Sequence, residues 1–449
     1  MKLGIDFGTS NCAAGILRDG KIEQIPLDSQ SHYLQSAIYT PDRALLPRIV
    51  LDYLTPESKR LYQQKRGLEL ARANRLIEEE GFRPSEFLYL GQAAFDEYMQ
   101  HPEEGYFLKS PKSFLGVLGL KSEQINLFID LTTIMLGEIK RRCEKQLGAK
   151  VTQAVIGRPV NFLGMNARES NQQATGIIRQ AAELVGFEQI EFLFEPEAAG
   201  HHFAHGQEQS REILVVDIGG GTSDFSLMKV DPDGCSQALA HRGMRIGGND
   251  FDIALAIEKI MPEFGLGEIN SKGRPTPAPL FWDAMSINDI PAQRRFYDPN
   301  TRRTLQELLR DMPVDSKFQR MLTIWDNKRS FELVRRAELC KIELSDTSSS
   351  SLVIKDELAL EIAREHWWQA SDSILGKIHT LISELLTEQA SVPDCLYLVG
   401  GAASSPMFVE ALRGWLPGIP IERGNNLGGV VSGLTLATRE LLPGPLTCH

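Results

Sequence analysis

The chain has 449 residues, 42% of them hydrophobic and 24% charged, the balance of a soluble globular protein too long for one ordinary core, so two or more lobes are expected. Its formal net charge is −11, with Lys and Arg scattered among acids, which argues against nucleic acid or an anionic membrane surface as partner. No stretch approaches membrane-spanning length and the first residues read directly as a strand, so the expected location is the cytoplasm.

Residues 2–27 alternate strand and turn signals, with Asp19-Gly20 marking a hairpin. The segment LGIDFGTSNCAAGI at 3–16 reads as an apolar strand, an aspartate, a tight Gly/Thr/Ser turn and a second strand. Helical periodicity follows over about 55–82, then mixed structure around Pro111, which together suggest an inserted subdomain. A helix is expected over 122–147, a buried strand over 153–160, a helix over 174–187 and a strand over 190–194 leading into EPEAAG. His201 and His202 are placed at a helix start, as packed or solvated side chains.

At 211 the pattern restarts: ILVVDIGGGTSDFSL at 213–227 repeats the grammar of 3–16, with a turn at Asp231 to Gly234 and the run MRIGGNDFDIALA at 244–256 after it. Residues 265–330 contain six prolines and an aromatic set including Phe281, Trp282, Phe296, Tyr297 and Trp325, so a long irregular excursion is expected there. A helix over 330–345, a turn or hairpin at Ser348 to Ser351, a helical stretch near 357–388, the strand 395–401 and helices over 406–414 and about 428–441 complete the chain. The six cysteines (Cys12, Cys143, Cys235, Cys340, Cys395, Cys448) have no CxxC spacing and read as reduced, mostly buried thiols.

A phosphate chain needs close backbone N–H donors, and glycine allows both the approach and the positive φ angles that line donors into a nest. Gly8, Thr9, Ser10 and Asn11 can supply one nest, and Gly219, Gly220, Gly221 and Thr222 another. Asp6 and Asp217, at the strand ends before these turns, would repel phosphate unless Mg²⁺, held mainly through water, lay between them. The Walker pattern is absent, since no Gly-Lys-Ser/Thr follows a Gly-rich loop. In LYLVGGAASSP at 396–406, Gly400, Gly401 and Ala402 form a bare turn suited to a nucleoside.

These segments, in this order, resemble the actin, sugar-kinase and heat-shock ATPase superfamily, and more closely its DnaK-type seventy-kilodalton heat-shock chaperones. IGGNDFD at 246–252, EPEAAG at 195–200 and KSPKSFLG at 109–116 narrow the likeness. The resemblance implies an α/β fold of actin-like (ribonuclease H-like) type, with two duplicated lobes around a central nucleotide cleft. Lobe I would span 1–207 with an insertion at about 30–105, lobe II 208–422 with an insertion at about 252–345, and 423–449 would return to lobe I. It implies ATP or ADP with Mg²⁺ as cofactors and a slow ATP hydrolase with chaperone function.

By the same resemblance Asp6, Thr9 and Ser10 form the first phosphate loop, and Asp217, Gly219 to Thr222 and Asp224 the second. Lys112 (with Lys109 the less favoured register) meets the γ-phosphate, and Glu195 orders magnesium and water. Gly247 and Gly248 lie beneath the ribose, and Glu338, Lys341 and Ser345 hydrogen-bond the adenosine. Two arginines sandwich adenine in the chaperones; Ile342 and Ser404 stand at those positions here, and Leu427 replaces the aspartate that begins the last helix. The implied partners are nucleotide, an unfolded or client protein, and a cochaperone or exchange factor. The chain ends soon after its last helix, so no peptide-gripping domain is expected, and the excursion at 265–330 becomes a candidate partner surface, with buried core as the plainer alternative. The competing functions are a sugar or acid kinase, a nucleotide-dependent filament protein and a nucleotide binder without turnover.

Overall fold

Strand-forming apolar runs ending in an aspartate and a glycine turn occur twice, and the computed structural model shows each building the same sheet. It describes residues 1–28, 31–100, 105–162, 167–205, 207–232, 236–287, 289–354, 358–424 and 428–441. In the first sheet the order is Lys21–Ile25, Asn11–Arg18, Lys2–Phe7, Gln153–Arg158, Gln189–Phe194, with Tyr33–Gln35 pairing on Asn11–Arg18. The second runs Ser236–Met244, Ser223–Val230, Arg211–Ile218, Cys395–Val399, Ile421–Arg423. Each consists of three antiparallel strands followed by two parallel ones, so the repeat legible in the sequence is a repeat of topology.

Strands buried on both faces need cover on both, and helices supply it. The helices Ser122–Leu147 and Ala167–Leu184 join Leu3, Ile5 and Ile156 in one core, while Leu214, Val216, Phe225 and Leu398 anchor a second. Between the sheets lies a smaller apolar cluster of Ala198, Phe203, Val215, Met228, Val430 and Leu434, contributed by the helices Glu195–Ala204 and Gly428–Ala437 and the second sheet. A three-stranded sheet of Ala37–Thr40, Tyr89–Leu90 and Tyr106–Lys109 leads directly into the turn carrying Lys112.

Several sequence expectations are corrected. Residues 265–330 are largely helical, with Ala278–Met285, Ile290–Phe296, Pro299–Arg310 and Gln319–Asp326. Pro279, Pro291 and Pro299 sit in the first turns of three of these helices, where the missing N–H would be unbonded anyway, so they start helices instead of breaking them. Phe281, Phe296 and Phe318 are fully buried and join the second core with Leu214 and Phe225, although Trp282 stays about half exposed. The helix expected from 174 begins at Ala167, and the stretch expected to be helical from 357 is strand Leu358–Ala363 before helix Arg364–Gln389.

Ser349 to Ser351 lie within the strand Ser349–Ile354 of a hairpin. His201 and His202 fall in the last turn of their helix, bonded to Ser236 Oγ at 2.9 Å and the Tyr397 hydroxyl at 3.3 Å. Cys12, Cys143, Cys340 and Cys395 are free and buried; Gly234, Cys235, Leu427 and Cys448 lie outside the described residues.

Candidate nucleotide site

A cavity of about 560 Å³ opens between the two sheets. Asp6, Gly8, Thr9, Ser10 and Asn11 line it from the first turn, and Asp217, Gly219, Gly220 and Thr222 from the second. Glu195, Gly248, Glu338, Lys341, Ser345, Gly400, Gly401 and Ala402 complete the sequence-derived set on its wall. Lys112, Gly221, Asp224 and Gly247 do not reach that wall.

The turns are held by neighbours that spacing alone did not reveal. Ser36 donates its backbone N–H to the Ser10 carbonyl at 2.8 Å and its hydroxyl to the Gly8 carbonyl at 2.7 Å, while Ser110 N–H bonds the Ser36 carbonyl at 2.7 Å. The Lys112 segment is thus tied to the first turn through Ser36, and Ser110 sits in the left-handed region at φ 59° as the chain bends into the 3₁₀ turn Pro111–Phe114. In the second turn Gly219 N–H closes on the Thr222 carbonyl at 3.0 Å, and Gly248 and Asn249 N–H groups bond the Gly219 and Gly220 carbonyls at 2.9 and 2.8 Å.

Positive φ is not why the turns contain glycine. Of the glycines proposed for the site, only Gly400 has it, at 82°. Close approach is the reason at Gly220 and Gly221, where a Cβ would press on Ser10 and Thr9 of the first turn, and at Gly247, which backs the second turn so directly that a Cβ would lie 2.6 Å from the Gly221 nitrogen; Gly219 has no such neighbour.

Lys112 Nζ is paired with Glu195 Oε1, and both are buried. Asp224 accepts the Val160 N–H at 2.8 Å. Burial, with Glu195 adding to it and Lys112 opposing, pushes Asp6 up to about 7. Burial and then Glu195 push Asp224 to about 7 against bonds from Val160 and Thr222, and burial with Glu195, Asp224 and Asp6 carries Asp217 well above its ordinary value. Burial would lower Lys112, yet Glu195 and Asp6 outweigh it and the ammonium is held above its usual range.

The site therefore gathers more buried carboxylate than its lysine neutralises, and hard oxygen donors of this kind suit a divalent cation. Among the described residues no three His, Cys, Asp or Glu side chains converge to cage a metal. Asp6 and Asp217, one from each turn, are the carboxylates on the cavity wall that could hold such an ion.

At the other end of the cavity the polar groups are already engaged. Lys341 Nζ bonds Asp252 Oδ1 at 2.6 Å and the Gly248 carbonyl at 3.1 Å, and Ser345 Oγ donates to the Lys341 carbonyl at 3.2 Å. Glu338 Oε2 pairs with Lys109 at 3.0 Å and Arg335 at 2.7 Å, so Lys109 acts away from the glycine turns. Ile342, about half exposed, and Ser404 face the same space.

Two sheets of one topology on either side of a glycine-lined cavity define an actin-like α/β fold of the kind that carries Hsp70 ATPase domains. Residues 123–270 match the family model described as Hsp70 protein. The chain is similar to a "Chaperone protein HscA homolog" of Pseudoalteromonas atlantica, 26% identical over 274 residues, covering 61% of this chain and 39% of that protein. It is likewise similar to homologs so named from Vibrio atlanticus, 28% identical over 280 residues (61% and 39%), and Rickettsia typhi, 36% identical over 118 residues (26% and 19%). Over residues 123–270 the chain is thus similar to Hsp70 proteins, and it spans about two-fifths of the length of the first two of these relatives.

Proposed function

We propose that this chain binds ATP and ADP with Mg²⁺ in the cavity between its sheets and slowly hydrolyses ATP to ADP and phosphate, as a DnaK-type chaperone ATPase. The observation that carries this is the meeting of two equivalent glycine turns and the carboxylates Asp6, Asp217 and Glu195 on one cavity. Gly8 to Asn11 and Gly219 to Thr222 bind the phosphates through backbone N–H and hydroxyl groups. Mg²⁺, when bound, neutralises developing charge on the phosphate oxygens. Lys112 supports the γ-phosphate end while Glu195 holds its ammonium in place, and Asp224 fixes the Val160 segment beside it. Gly247 and Gly248 brace the turn beneath the ribose, Lys341, Ser345 and Glu338 face the nucleoside, and Gly400, Gly401 and Ala402 close over it. Nucleotide then biases the angle between lobes, and that movement is offered to a client protein and a cochaperone or exchange factor in the cytoplasm.

Calorimetric titration with ATP and ADP in Mg²⁺, paired with phosphate release, tests this. Lys112→Ala strands a buried carboxylate and removes positive charge from the phosphate end, so release should fall about a hundredfold or more. Thr222→Ala should fall by about tenfold or more. Release unchanged in both overturns the site assignment, and release that requires added sugar makes the chain a small-molecule kinase.

A further inference from the structure

Behind the second glycine turn lies a separate cavity of about 10 Å³, lined by Thr9, Lys112, Ser113, Phe162, Thr222 and Arg245 among others. It shares Thr9 and Thr222 with the main cavity. A space of this size admits about one water molecule, and a water there needs two to four polar partners. The walls supply them: two hydroxyl-bearing threonines, a serine and two cationic side chains.

Ser113 is the residue without another explanation. Its Oγ is buried and has no hydrogen-bond partner among the described residues. Buried hydroxyls are normally paired, so a lone one marks a missing partner or a functional role. The oxygen faces Gly221: a Cβ added there would lie 3.1 Å from Ser113 Oγ and 3.3 Å from Thr9 Oγ1. The bare glycine lets the Lys112 turn and the first turn close on the second, and the two hydroxyls converge where they meet.

We propose that Ser113 is a positioning residue for the attacking water, which it binds in this small cavity together with Thr9 and Thr222. The inference rests on the ATPase reading above. The water oxygen bonds to the γ-phosphorus as the bond from that phosphorus to the bridging oxygen breaks. ADP leaves with that electron pair, and one water proton passes to a γ-phosphate oxygen, giving dihydrogen phosphate. Ser113 accepts a hydrogen bond from the water and so points a lone pair of its oxygen toward phosphorus; it neither takes the proton nor contacts the nucleoside.

Single-turnover hydrolysis and nucleotide titration on the whole chain test this, with wild type, Ser113→Ala and Ser113→Thr. In Ser113→Ala the rate should fall about tenfold while ATP and ADP affinities stay within about twofold and the melting temperature is unchanged. Ser113→Thr, which keeps the hydroxyl, should retain more of the rate than the alanine variant. An unchanged rate in Ser113→Ala, a loss of affinity in step with the rate, or a threonine variant slower than the alanine one overturns the proposal. Wild type that binds ATP yet releases no phosphate sinks the ATPase reading itself, and it is seen before either variant is measured.

Discussion

Two glycines at the second turn, Gly219 and Gly247, separate what sequence pattern blends together. Gly219 has only the Thr222 carbonyl, 3.8 Å away, near the place a side chain would occupy, whereas a Cβ on Gly247 would meet the backbone of residues 220–222 at 2.6–2.7 Å. Neither has positive φ, so an alanine at either position is strained only by contact. Gly219→Ala should therefore fold with stability changed by less than about 0.5 kcal/mol. Gly247→Ala must push the second turn away, costing about 1–3 kcal/mol and weakening ADP binding tenfold or more. Thermal melts and calorimetry of the two variants distinguish close approach from mere flexibility of the turn. Equal behaviour of the pair would show that Gly247 does not buttress the phosphate loop.

At the scale of elements, the segment 278–326 shows how a rule about breakers reverses with position. Asp289 accepts the Ala292 N–H at 3.2 Å and Asp298 the Asn300 N–H at 2.8 Å, each just before a proline-led helix. Asp298→Ala should cost about 1 kcal/mol through loss of that cap, leaving nucleotide affinity unchanged because the helix is remote from the cavity wall. A melt unaffected by the substitution would mean that packing of Leu305 alone holds the helix. The sequence displayed Asp-Pro at 298–299 plainly; what hid the helix was weighing proline by count, without its place in a helical turn. The glycine hairpins were legible for the opposite reason. Strand, aspartate and turn there are contiguous, so local chemistry fixes the structure. The placements of Ser36 and Ser113 were not legible, since they arise from contacts between segments far apart along the chain and nothing in their immediate neighbours announces them.

For the whole molecule, the decisive contacts are those joining the three-stranded sheet and the helix Gln92–Gln100 to residues 328–346 at the cavity mouth. Lys109 meets Glu338 at 3.0 Å, Tyr98 donates to the Lys328 carbonyl at 2.7 Å, and Phe107 packs edge-on against Phe331 with ring centroids 5.1 Å apart. Burial alone would raise Glu338, but Lys109, Arg335 and Lys341 outweigh it and hold the carboxyl down at about 2, against 4.5 for a free side chain. A folded-state value below the unfolded one means the stabilisation is fully present above about pH 4.5 and is lost as pH falls toward 2. Its size is of order 3 kcal/mol for the whole cationic surround, and Lys109 is one of three contributors.

Lys109→Ala removes only the cation that comes from the other side of the mouth. Glu338 keeps Arg335 and Lys341, so the fold should survive while the mouth loosens. Nucleotide dissociation, followed by stopped-flow with a fluorescent ADP analogue at pH 7, should then quicken several-fold, and the acid limb of the wild-type stability profile should flatten. Arg335→Ala breaks a pair within one helix and also withdraws a guanidinium that lies 5.1 Å from the Phe95 ring centroid, so it should flatten the same limb and speed release less than Lys109→Ala does. If both variants release nucleotide at the wild-type rate, the ion pair across the mouth has no part in retaining it, and closure rests on the aromatic contacts of Tyr98, Phe107 and Phe331 instead.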